Sequence, residues 1–175
     1  MLIIFSLLIT TILVSACGIT IELNEEPEIP PATPENEEPA MPTDAPLPTF
    51  GSISGNLSYP SEFIPSMRVV AFRLANGQPS GEFVFVETAL NQANYQLDNL
   101  DPGQYWVVAY TIPEGDGAPQ GLAGGFSQAV PCGLSVECGD HALLAVDVVS
   151  GQTTTDINPG DWYAPEGAFP PDPAN

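Results

Sequence analysis

The chain has 175 residues, with 22 acids against two arginines, no lysine and a formal net charge of −20. That charge repels phosphate backbones and anionic lipid surfaces, so nucleic-acid binding is set aside, and cationic partners or divalent cations are favoured. The plain alternative reading of the same charge is a solvated acidic surface.

Residues 1–16 are uncharged and mostly apolar, and lead into Val14-Ser15-Ala16-Cys17. An apolar core followed by small residues is a secretory signal with its cleavage site. The four residues resemble a bacterial lipobox. The resemblance implies cleavage before Cys17, a lipid on Cys17, and a mature chain tethered in the bacterial cell envelope. The anchor would sit outside the cytoplasmic membrane or in the outer membrane. An uncleaved membrane helix is the alternative, but 16 residues fall short of the roughly 20 that span hydrocarbon. None of the 16 is basic, whereas signals ordinarily open with Lys or Arg.

Residues 17–49 read as a disordered stalk. Glu22 to Thr49 holds eight prolines and eight acids and few large apolar side chains. Proline removes backbone donors, like charges repel, and too little apolar surface is present to fold. Fully extended at about 3.1 Å per residue, such a stalk reaches on the order of 100 Å.

Residues 50–163 read as one all-β domain of ordinary size for a single core. Ile53, Leu57 and Tyr59 share a parity. Arg68–Phe72, Phe83–Val86, Tyr95–Leu97, Tyr105–Tyr110, Ala142–Val149 and Thr153–Ile157 follow as strand-like runs. Asn76-Gly77, Asp101-Pro102-Gly103, Glu114-Gly115-Asp116-Gly117 and Ser150-Gly151 punctuate them. About seven strands so spaced predict a single antiparallel β-sandwich. A helical turn or two is expected near residues 61–66, and no longer helix. Residues 164–175 return to proline, glycine and acid and read as a disordered tail.

With Cys17 assigned to lipid, Cys132 and Cys138 remain. In an oxidising exterior an even pair this close reads as a disulfide clipping a small loop. A two-thiol metal or redox site is the alternative, but it lacks C-x-x-C spacing and convergent ligands.

Tyr95-Gln96-Leu97-Asp98-Asn99-Leu100-Asp101-Pro102-Gly103-Gln104-Tyr105 reads as a hairpin turning on Pro102-Gly103. With the opening Gly51-Ser52-Ile53-Ser54-Gly55, it resembles the carboxypeptidase regulatory-like domain, a transthyretin-like (prealbumin-like) β-sandwich. The resemblance covers most of residues 50–163 and implies fold and location, not a reaction. In the enzymes that name that family the catalytic zinc lies in another domain. A Lys-based isopeptide cross-link, found in some bacterial surface sandwiches, is impossible without lysine.

Candidate functional residues are few. His141 is the single histidine, and it could pair with Asp161 or help bind a metal, although one histidine makes a poor zinc centre. Ser127 makes a dyad with it only if the fold brings the two together. The commoner role for such a histidine is a structural hydrogen bond. Trp106 and Tyr110 share one face of a strand and are candidates for an aromatic binding strip, unless a loop covers them. No cofactor is expected. Glu114 and Asp116 would give at most weak calcium binding, since the loop lacks EF-hand spacing. The reading is therefore a non-enzymatic surface or periplasmic lipoprotein with structural or contact roles. Its partners are the membrane, through the lipid, and an unidentified protein or glycan. A carbohydrate- or peptide-binding module and a hydrolase are the alternatives.

Overall fold

The computed structural model describes residues 49–112, 119 and 121–174. The signal segment, Cys17, all but the end of the stalk and the Glu114–Gly117 loop lie outside the described residues.

The described residues build an all-β domain of two sheets. The eight strands are β1 (Gly51–Asn56), β2 (Met67–Ala75), β3 (Gln78–Thr88), β4 (Asn94–Leu100), β5 (Gly103–Thr111), β6 (Ala123–Gly125), β7 (Val146–Val148) and β8 (Thr153–Thr154). One sheet runs β4-β1-β8 and the other β3-β2-β5-β6, with β7 also paired to β5. The inward faces of both contribute to one buried cluster. Ile53, Tyr95 and Leu97 come from the smaller sheet, and Val69, Ala71, Val107 and Ala109 from the larger.

The β2–β3 hairpin turns on Asn76 and Gly77, whose φ angles are 53° and 76°. Two successive positive φ values define the tight turn that Asn-Gly favours, because its twist matches the flanking strands. Strands β2 and β5 read as continuous apolar runs rather than alternating ones, and the packing explains why. Val69, Ala71, Val107 and Ala109 point into the main cluster. Val70, Phe72, Val108 and Tyr110 form a second cluster on the opposite face. A sheet covered on both sides needs apolar residues at both parities.

Four expectations are corrected. The segment around Pro102-Gly103 is not a hairpin, because β4 pairs with β1 while β5 pairs with β2. It is a corner that carries the chain from one sheet to the other. Tyr105 Oη closes it by donating to the Asp101 carbonyl at 2.8 Å. Nor is the pairing wholly antiparallel, since β8 lies parallel to β1 with Ser52 opposite Thr153. The helical turn is α1 (Ala129–Cys132), not residues 61–66.

The fourth correction concerns residues 164–174, which are no loose tail. They lie on the outer face of the larger sheet, where Phe169 packs with the second cluster. Tyr110 Oη donates to the Pro170 carbonyl at 2.6 Å. Composition misleads here because a few side-chain attachments, Phe169 in the cluster, Tyr110 to Pro170 and Arg68 to Asp172, seat a segment that makes no strand.

The opening glycines have a packing reason. A side chain at Gly55 would land on the Ile157 carbonyl, and one at Gly51 would meet the Val149 carbonyl at 2.5 Å. The return of residues 148–157 alongside β1 therefore requires that strand to be bare there.

Candidate functional site

Asp161 is the centre of the one buried polar cluster that includes the histidine. Its backbone bridges β6, with Asp161 N donating to the Gly125 carbonyl at 3.1 Å and Gly125 N donating back at 3.3 Å. The next residue pins it further. Trp162 donates from Nε1 to the Ser58 carbonyl at 2.8 Å and meets Tyr59 edge to face. Ser127 follows β6 and bridges Leu143, which brings the 141–143 segment alongside.

These placements converge on one carboxylate oxygen. Ser127 Oγ donates to Asp161 Oδ2 at 2.6 Å, and His141 Nδ1 lies 2.8 Å from the same oxygen. A carboxylate only accepts, so the proton of this bond sits on Nδ1. Asp161 is 1% exposed and Ser127 0%, while its partner Oδ1 is buried without a hydrogen bond. Ser127 Oγ also accepts from Ala129 N at 3.2 Å, which ties the start of α1 to the cluster. Asp140 stays outside it and accepts instead from Ala142 N at 3.0 Å.

The order of partners decides the chemistry. Activating a serine needs the imidazole on the hydroxyl and the carboxylate behind the imidazole. Here the carboxylate stands between the two, so the Ser127 hydroxyl donates its hydrogen bond to Asp161 and is sealed from solvent. The fold does bring Ser127 and His141 to one point, but as two donors to a shared acceptor. His141 also lines a shallow open depression of about 540 Å³, together with Leu134, Val136, Cys138 and Tyr163.

The loop closed by the cysteine pair supplies one wall of that depression, with Cys138 among its lining residues. Cys132 ends α1 and meets Cys138 at bonding distance, with Cα atoms 5.8 Å apart. Gly133 has φ 105° and caps the helical turn, letting the loop swing out. Val136 at its tip is almost fully exposed. Glu137 accepts from Ser135 Oγ, which holds its carboxyl below the ordinary range. Among the described residues no three His, Cys, Asp or Glu side chains gather as a metal site.

Trp106 and Tyr110 do share a face, the outer one of the larger sheet. Tyr110 is buried beneath residues 169–172, and Trp106 packs at the margin of the same cluster. The aromatics that stand free on this face are Phe83 and Phe85 on β3, 39% and 44% exposed, with ring centroids 6.5 Å apart. They pair across β2 with Phe72 and Val70. The Arg68 guanidinium lies 5.3 Å from the centre of the Phe85 ring. The alternation Phe83-Val84-Phe85-Val86 announces a strand, but both parities are apolar, so it does not tell which pair faces out. Val84 and Val86 take the inner side.

No family model, curated protein or solved structure matches this chain.

Proposed function

We propose that this chain is a non-enzymatic envelope lipoprotein that displays a transthyretin-like β-sandwich on a lipidated, proline-rich stalk for structural or contact roles. The location rests on Val14-Ser15-Ala16-Cys17 and the acidic proline-rich segment that follows. The sandwich reading is supported by the cluster shared between the inward faces of the two sheets.

The observation that carries the non-enzymatic part is the wiring of Asp161. A serine with no exposure, bonded to a carboxylate rather than to the imidazole, acts as a buried tie between β6, α1 and the 141–143 segment. Two donors on one buried carboxylate oxygen fix the positions of the three segments that carry them. A binding module is the second reading, and the stacked, exposed Phe83–Phe85 pair favours it.

Lipidation is tested by replacement. Wild-type protein should partition with the membrane fraction and carry a lipid mass on Cys17, whereas Cys17→Ser should be released or remain unprocessed. A wild-type chain with an intact N-terminal apolar segment and no added mass would refute the reading.

A further inference from the structure

The outer face of the larger sheet is covered in an unusual way. Its occupant, Phe169-Pro170-Pro171-Asp172-Pro173, adds no strand to either sheet. The backbone bond within residues 164–174 is internal, from Ala168 N to the Pro165 carbonyl. Attachment to the sheet runs through side chains. Phe169 enters the outer cluster, Tyr110 Oη donates to the Pro170 carbonyl, and Arg68 Nη1 donates to Asp172 Oδ2 at 2.6 Å. Aromatic walls around a proline-rich segment are the means by which polyproline ligands are recognised, since prolines stiffen the segment and it loses little entropy on docking; here a hydroxyl also reaches the Pro170 carbonyl. The arginine adds selectivity for an acid two residues after the aromatic-proximal proline.

The face is also larger than its occupant. A cavity of about 630 Å³ remains between the segment, at Glu166, Phe169 and Asp172, and the sheet, at Tyr110 and Ala123, so the segment does not fill its seat. Past Arg68, which lies over Phe85, the surface continues to the partly exposed Phe85 and Phe83. Arg68 thus touches both the covered and the partly exposed part.

We propose that this face is a docking site for a proline-rich partner segment of the form apolar-Pro-Pro-acid, and that residues 169–173 occupy it in cis as a replaceable strap. A segment of the same chemistry is seated on the face already, and the partly exposed aromatic surface of Phe83 and Phe85 is continuous with it. The proposal deepens the display reading and rests on it for the partner's access to the domain. Membrane fractionation tests display without any peptide, so the two failures are distinguishable.

The probe is a labelled synthetic peptide, Ala-Phe-Pro-Pro-Asp-Pro-Ala, titrated against the full chain. A short tether keeps the strap at an effective concentration of roughly millimolar, so the wild-type face is mostly occupied and binds the peptide weakly. Phe169→Ser with Asp172→Asn removes the strap's own anchors and leaves the face intact, and should tighten binding by about tenfold or more. Adding Tyr110→Phe or Arg68→Gln should reverse that gain, and a peptide with alanine for both paired prolines should not bind. Should the double variant lose its cooperative transition, the wild-type chain decides. Excess peptide should then move the Ala174 amide resonance to its position in an unstructured chain. A folded double variant that binds no better than wild type overturns the proposal. So does binding indifferent to Tyr110→Phe and Arg68→Gln, or an unmoved Ala174 resonance at millimolar peptide.

Discussion

Arg68 and Asp172, 104 residues apart, meet at 2.6 Å on the outer face of the larger sheet. Arg68 also donates to Glu87 on the neighbouring strand at 2.7 Å. Those two carboxylates raise its guanidinium's already high pKa, with the Glu87 bond the larger cause. The pair with Asp172 is mostly shielded from water, and the Glu87 side is more open. Arg68→Gln should therefore destabilise the domain by about 1.5–3 kcal/mol, the range for hydrogen bonds to charged groups. The loss should appear first as loosening of residues 164–174 in amide exchange. Unchanged exchange there would show that the ion pair does not hold the segment.

The Asp161 cluster should behave as a structural tie. Asp161→Ala leaves the buried Ser127 hydroxyl without its acceptor and should lower unfolding stability by about 1–3 kcal/mol. Asp161→Asn retains an acceptor oxygen and should lose less. Urea unfolding curves for the two variants check this, and equal losses would contradict the hydrogen-bond account.

Replacing Cys132 and Cys138 together by serine should cost about 2 kcal/mol, because the closed loop is short and removes little unfolded-state entropy. The structural effect should stay within residues 129–141, since both cysteines lie outside the strands. Non-reduced peptide mapping should show the two joined. Two freely alkylated thiols in protein taken directly from cells would contradict the pairing.

Stability should fall at alkaline pH. Burial raises the phenols of Tyr95 and Tyr110 above their ordinary value. A raised folded-state value means that the neutral form is favoured by folding, so the contribution is full below about pH 10 and declines as pH rises through the folded value. Tyr95 Oη also donates to the Ile157 carbonyl at 2.6 Å. Tyr95→Phe should then lose about 1 kcal/mol at neutral pH and show a shallower alkaline decline. A melting curve flat between pH 9 and pH 12, roughly the range in which phenols titrate, would refute the assignment.

Gly55→Val places branched carbons against the Ile157 carbonyl and should force the 148–157 return away from β1. A loss of about 1–3 kcal/mol is expected from such overpacking. Thermal melting measures it, and an unchanged midpoint would mean that the return segment yields freely.

The sequence alone carried the local rules. Strand type followed from β-branched and aromatic runs, and the Asn76-Gly77 hairpin from the positive φ that those two residues tolerate. The pairing of Cys132 with Cys138 was open to elimination among three cysteines. These are decisions made within a few residues, where side-chain chemistry constrains the backbone directly.

Which sheet a strand joins was not local. Pro102-Gly103 reads equally well as a hairpin or as a corner, and the choice fell to where Leu97, Leu100, Tyr105 and Val107 could be buried together. The outward placement of Phe83 and Phe85 depended on what lay beneath Val84 and Val86. His141 and Asp161 could be nominated as a pair, but a sequence does not order donors around an acceptor. Only the tertiary structure put Asp161 between Ser127 and His141 and so made the cluster a tie. The seating of residues 164–174 needed the assembled sheet, because Tyr110, Arg68 and the outer cluster form one surface only when β2 and β5 lie side by side. Periodicity and turn chemistry act along the chain, whereas burial and charge pairing act across it, and the second set has no signature until the chain is folded.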